Sequence, residues 1–346
     1  MADIKLRNSG VLSDYGKPYI VAEMGTNHNG NMDKAKKMID AAKESGCNCV
    51  KFQSWTSDTL YSKTVYEANP IAKRMVDRFS LSEKQLWEAA EYCSMVGIDF
   101  SSTPYSKQEV DFLVDNCKAP YVKIASMDLN NYPFLHYIAK KMVPIILSTG
   151  MADLDEIHKA VNTIYKTGNY QLCLLHCVAE YPPMIETIHL NNINTLRKEF
   201  PDCPIGFSDH SKGVEISTAA VALGTCLIEK HLTLDKSAPG WDNKMAMEPD
   251  EMRQLVQNCT NVFIAMGTDK RIIAQGELEQ RKIIRRSIVA AHDLCAGTIL
   301  KLEDLDCKRP GTGLLPERLE NLIGMCLVRD IKADEMLKED DVRPFI

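Results

Sequence analysis

Two histidines mark where this chain could do chemistry. His210 lies in Gly206-Phe-Ser-Asp-His-Ser211 and His231 in Ile228-Glu-Lys-His-Leu-Thr233. Each follows a short apolar run that turns polar, as expected at the C-terminal end of a buried strand, and the stretch between them has room for one helix. Neighbouring strand ends would bring the imidazoles together. With Glu23, Asp209 and Asp242 as possible company, they describe a divalent-metal site with open positions. A second set suits an anion: Lys51 and Lys123 emerge from runs of core residue types, and Gln53, Thr103, Ser126, Ser148 and Ser208 fall at similar strand ends. Ammonium and hydroxyl donors together can replace the hydration shell of a small phosphate-bearing molecule. His176 also ends an apolar run and reads as a core histidine or a support for the metal ligands.

The elements that must position these residues repeat regularly. Apolar strand runs are expected at 19–23, 49–53, 99–102, 121–124, 144–148, 171–176, 204–208 and 225–231. Helical periodicity falls between them: from Met32 to the stop at Gly46, from a Ser82/Gln85 capping box to Gly97, then 107–116, 133–141, 152–167, 190–200, 214–223 and 249–266. Strand and helix alternating eight times over about 250 residues predicts a (β/α)8 TIM barrel, whose active site lies at the C-terminal ends of the strands. An open doubly wound sheet fits less well, because no Gly-x-Gly-x-x-Gly follows the first strand. Residues 54–79 read as a long loop, and Ile4 to Asp14 as a hairpin capping the bottom of the barrel. The expected domains are a catalytic barrel over 1–267, a charged linker over 268–286 with one short helix, and a small domain of short strands over 287–346.

Composition narrows the class. The 41 basic and 47 acidic residues give −6, which disfavours nonspecific nucleic-acid binding while leaving room for a local basic pocket. No apolar run approaches a membrane span and the N-terminal residues do not resemble a signal peptide, so a cytoplasmic setting is expected. Twelve scattered cysteines without a Cys-x-x-Cys pair read as small core residues.

Seven ordered segments carry a family resemblance: Ile20-Val-Ala-Glu-Met-Gly-Thr-Asn-His-Asn-Gly30, Val50-Lys-Phe-Gln53, Ser102-Thr-Pro-Tyr105, Ile146-Leu-Ser-Thr-Gly-Met151, Leu175-His-Cys177, Gly206-Phe-Ser-Asp-His210 and Ile228-Glu-Lys-His231. Together they resemble the sialic acid synthase family, and Arg286 onward, with Lys308-Arg-Pro-Gly-Thr-Gly313, resembles its C-terminal antifreeze-like (SAF) domain. The resemblance implies condensation of phosphoenolpyruvate with an N-acetylated mannosamine-type sugar, giving a nine-carbon 2-keto-3-deoxy acid and phosphate. It also implies that Lys51, Thr103, Lys123, Ser126, Ser148 and Ser208 bind phosphoenolpyruvate, and that His210 and His231 hold a divalent ion, manganese or magnesium. Glu23 and Asp242 match acidic positions near the sugar. Arg309 matches an arginine that reaches the partner's site in a domain-swapped homodimer. Ala179 and Trp241 stand where N-acetylneuraminate synthases usually carry asparagine and proline, whereas Glu180-Tyr181-Pro182, Lys244 and Glu248-Pro249 look more like legionaminate synthases.

The chemistry is consistent with that resemblance. An enol carbon is a weak nucleophile, so the aldehyde needs a Lewis acid, and a carboxylate among Glu23, Asp209 and Asp242 must handle the water that adds before phosphate leaves. Two rival readings are a metal-dependent barrel isomerase or hydrolase, and an ice- or glycan-binding module carried on an inert barrel. The former would not need two lysines as a phosphate clamp. The latter would not need the histidines, lysines and Arg309.

Overall fold

The computed structural model describes residues 2–8 and 10–345, and divides at Gly267 and Thr268 into two compact units. The first holds eight parallel strands: β1 (Tyr19–Glu23), β2 (Cys49–Gln53), β3 (Asp99–Thr103), β4 (Val122–Ile124), β5 (Ile145–Ser148), β6 (Leu172–Cys177), β7 (Ile205–Asp209) and β8 (Leu227–His231). They pair in the order β3-β2-β1-β8-β7-β6-β5-β4, a nearly closed (β/α)8 barrel. The β1–β8 pairing joins the first strand to the last, with His231 opposite Glu23.

Strand alternation builds two cores from one sequence. Ile20, Val50, Phe52, Phe207 and Ile228 point outward into a cluster shared with helix residues such as Met38, Ile39, Leu86 and Leu255. Val21, Cys49, Ile146, Cys173, Leu175 and Leu227 point inward and fill the lower lumen with Ile4, Leu6 and Leu12. The last three flank or lie on a hairpin of Asp3–Lys5 and Val11–Ser13, which plugs the bottom as the sequence predicts. Apolar filling below leaves the upper lumen to polar side chains.

Local signals explain the helix ends. Helix Glu83–Val96 starts at the expected Ser82/Gln85 capping box and stops at Gly97 with φ 75°, a left-handed conformation that glycine adopts without strain. Residues 54–79 are not a plain loop. They contain helices Ser57–Leu60, Lys63–Ala68 and Pro70–Phe79, the last with Pro70 in its first turn and the Asn69 side chain accepting from the Ala72 N–H. Trp55, Tyr66, Val76 and Phe79 give this insert its own small apolar cluster. Most of the twelve cysteines are buried and all are unpaired, and no helix among the described residues is long and apolar enough to cross a membrane.

The second unit begins with the linker, whose expected short helix is Gln275–Ile284. Strands Ser287–Ala290 and Leu305–Lys308 form one antiparallel pair, and Met325–Leu327 and Val342–Pro344 another, around a core including Ile288, Leu300, Leu322 and Leu337.

Candidate active site at the mouth of the barrel

The C-terminal ends of the strands surround a cavity of about 370 Å³. Twelve of the fourteen residues singled out from the sequence line it: Glu23, Lys51, Gln53, Thr103, Lys123, Ser126, Ser148, Tyr181, Ser208, His210, His231 and Asp242. A larger cavity of about 670 Å³ lies beside it, but its lining includes Asp153 and Glu180 and no lysine or arginine, so it offers an anion no ammonium or guanidinium. His176 is buried there, its Nε2 2.7 Å from the Ile188 carbonyl and its ring against Phe207, a satisfied core histidine.

One residue of the barrel is not brought to the pocket. Asp209 sits between Ser208 and His210, and because adjacent strand residues face opposite ways its carboxylate points outward. It pairs there with Lys230 Nζ at 2.7 Å and accepts from the Ser217 hydroxyl at 2.5 Å and the Ser211 N–H at 2.7 Å. The expectation that Asp209 stands among the reacting groups is therefore corrected. Arg309 belongs to the second unit, where it is exposed at the end of strand Leu305–Lys308.

The floor of the cavity is a charge network. Lys51 Nζ lies 2.5 Å from Glu23 Oε2 and 3.5 Å from Glu229 Oε1, and donates to Thr103 Oγ1 at 3.1 Å. Lys123 Nζ donates to Ser148 Oγ at 2.8 Å and lies 3.7 Å from Glu229. Burial would raise the Glu229 carboxyl, but Lys123 and Lys51 outweigh it and hold the group at about 2. The two lysines diverge. Burial pulls both down, yet Glu229 and Glu23 lift Lys51 above its usual range, whereas Lys123, with weaker support from Glu229 and opposed by Lys51, stays below it. Glu229 falls at a strand end with His231 in the sequence, but no role was expected of it. Its signal was the alternation itself, since it precedes His231 by two and must share the inner face.

Glu23 is oriented by its neighbours. Its Oε1 accepts from the Gly25 N–H at 2.9 Å and from Gln53 Nε2 at 3.1 Å, while Gln53 Oε1 accepts from the indole of Trp55 at 2.8 Å. Gly25, with φ 48°, makes room for the wall opposite: a Cβ there would fall 2.6 Å from Asp242 Oδ2 and 3.2 Å from His231 Nδ1. The rim is apolar and aromatic, with Leu60, Tyr61, Met127, Met151 and Trp241 joining Trp55. Trp241 rests against Trp55 at 6.0 Å and Phe79 at 5.5 Å between ring centres, which ties the helical insert to the rim.

The imidazole donors suit a metal ion. The rings of His210 and His231 are 5.6 Å apart, and Tyr181 covers His210 at 4.0 Å. His210 Nδ1 is 2.8 Å from the Val178 carbonyl, which can only accept, so Nδ1 carries the proton and Nε2 the lone pair. Burial and the neighbouring His231 push the His210 pKa down to about 3, keeping the ring neutral. His231 Nδ1 is buried without a hydrogen-bond partner. Among the described residues no three His, Cys, Asp or Glu side chains converge on one point.

Comparison with known proteins gives this geometry a lineage. A model of the NeuB family matches residues 38–271 and a model of the SAF domain matches residues 285–343. An N,N'-diacetyllegionaminic acid synthase of Legionella pneumophila is 39% identical over 332 residues, 92% of this chain and 93% of its own length. Another of the same description, from Campylobacter jejuni, is 37% identical over 93% of this chain and 99% of its own. The crystal structure of an N-acetylneuraminic acid synthetase from Leptospira borgpetersenii superposes with a TM-score of 0.74 at 33% identity, covering 80% of this chain and 94% of that one.

Proposed function

The chain belongs to the sialic acid synthase (NeuB) family, and from that premise we propose that its barrel condenses phosphoenolpyruvate with a 2,4-diacetamido-trideoxy mannose-type sugar. The products are a nine-carbon 2-keto-3-deoxy acid of the legionaminate type and inorganic phosphate. One observation carries the reading: two buried lysines and two imidazoles open onto the same cavity at the strand ends.

Lys51 and Lys123, with the hydroxyls of Thr103, Ser126, Ser148 and Ser208, bind the carboxylate and phosphate of phosphoenolpyruvate. Glu23 and Glu229 keep Lys51 charged for that task. A divalent ion on His210 and His231, manganese or magnesium, would supply Lewis-acid polarisation of the acceptor's aldehyde. The enol carbon attacks that aldehyde, forming the new carbon–carbon bond and leaving positive character on the carbon that bears phosphate. Water adds to this carbon. Glu23, its Oε1 fixed by Gly25 and Gln53, orients the water and takes its proton, which passes on to the former aldehyde oxygen as that becomes a hydroxyl. The carbon–oxygen bond to phosphate then breaks, the remaining hydroxyl proton leaves with phosphate, and the keto group forms. Asp242 accepts from acceptor hydroxyls beside Trp241. The apolar rim suits acetamido methyls and a deoxygenated C6.

A phosphate-release assay with phosphoenolpyruvate and a panel of acetamido sugars tests the reading. Release is expected only when an acceptor is present, and fastest with the diacetamido sugar. A barrel isomerase or hydrolase would release none.

Arg309 completes the proposal. On an exposed turn beyond a charged linker, it serves a partner's cavity in a domain-swapped homodimer, binding the acceptor's oxygens. Mixing Arg309→Ala with Lys51→Met subunits should restore activity through heterodimers with one intact site. No recovery despite demonstrated subunit exchange would assign Arg309 elsewhere.

A further inference from the structure

We propose that the buried Asp209–Lys230 ion pair is a positioning device for the metal site, setting from the outer face of β7 and β8 the separation and orientation of His210 and His231 on the inner face. The inference rests on the reading above that the two histidines hold the metal.

Geometry makes the case. Asp209 and Lys230 are register partners, and each immediately precedes one of the histidines. Lys230 Nζ reaches Asp209 Oδ2 at 2.7 Å, the Ser211 carbonyl at 2.5 Å and Ser211 Oγ at 3.4 Å. The residues on both sides of His210 are thus tied to the residue before His231. Asp209 secures the same turn, accepting the Ser211 N–H at 2.7 Å, and is itself held by the Ser217 hydroxyl at 2.5 Å. His210 has a further anchor in the Val178 carbonyl, but His231 Nδ1 has no partner, so the direction of its ring depends on its backbone.

Stability alone does not account for the pair. Both side chains are 1% exposed, and an ion pair taken out of water gains little over well-packed apolar residues. The preceding outward positions, Phe207 and Ile228, are apolar and belong to the core between strands and helices. A lysine and an aspartate one step further, level with the imidazoles, supply what apolar residues cannot: directed bonds that fix the backbone on either side of a ligand.

Manganese binding tests the role. The double variant Asp209→Asn/Lys230→Met removes both charges without orphaning either, and Ser217→Ala removes one bond to the carboxylate. Circular dichroism confirms folding, and calorimetric titration then measures manganese and phosphoenolpyruvate affinity separately. Manganese should bind about tenfold or more weakly to the double variant, the usual scale for losing groups that orient metal ligands, and severalfold more weakly to Ser217→Ala. Phosphoenolpyruvate affinity should change less than about twofold in both. A folded double variant with wild-type manganese affinity overturns the proposal, as does an equal loss of both affinities, which signals general loosening. Should the double variant not fold, unchanged manganese affinity in Ser217→Ala overturns it. Manganese binding that survives His210→Ala unaltered would instead strike the metal assignment beneath it.

Discussion

Two buried lysine–carboxylate groupings occupy opposite faces of the barrel wall, and only one opens onto a cavity. Outward, Lys230 and Asp209 are nearly saturated: three contacts for the ammonium, three for the carboxylate, all from the chain. Inward, Lys51, Lys123, Glu23 and Glu229 are just as hidden, yet they line empty space. Charge and burial alone do not separate framework from working group. What separates them is whether bonding capacity is spent within the fold or left facing a cavity.

The largest effect should come from breaking the saturated pair. Lys230→Met alone strands a buried carboxylate and should cost about 3–5 kcal/mol in urea unfolding. Lys51→Met should cost less stability, because the cavity can admit water to the remaining charges, but should weaken phosphoenolpyruvate binding by about tenfold to a hundredfold, the loss of about 1.5–3 kcal/mol of charge-assisted bonding. Equal destabilisation by the two replacements would erase the distinction.

A smaller effect separates the two inner lysines by pH. Because Lys123 sits below its usual range and Lys51 above, raising the pH should discharge Lys123 first. The KM for phosphoenolpyruvate should therefore rise on the alkaline side, and Lys123→Arg should move that rise to higher pH, since guanidinium stays charged. An alkaline limb unmoved by Lys123→Arg would place the titrating group elsewhere. The smallest effect is expected at the rim. Trp241→Ala should raise the acceptor KM about fivefold to tenfold, the scale of one aromatic contact, while leaving phosphoenolpyruvate unaffected. Equal changes for a diacetamido and a monoacetamido acceptor would show that Trp241 does not choose between them.

Much of this was legible along the chain. The eight strand runs are short, apolar and punctuated by glycine, proline and polar residues, so their order and type survive without tertiary information, with ends shifting by a residue or two. The helical insert was hidden because its stretches are brief and polar, although Asn69-Pro70 ahead of Val76 and Phe79 was an N-terminal signal. Asp209 shows the opposite failure. Proximity to His210 in sequence suggested a shared task, while the period of two in a strand puts adjacent residues on opposite faces.

The sequence by itself determined the residue types available at each strand end, and local patterning sufficed for that because a strand's polar termination is a property of a few neighbours. Which of those groups meet was decided only by closing the sheet. Closure sets His231 opposite Glu23 and Glu229 between two lysines, residues far apart in the chain whose mutual fields govern their protonation. Those fields act over distances of a few ångströms, which a linear order of residues does not specify.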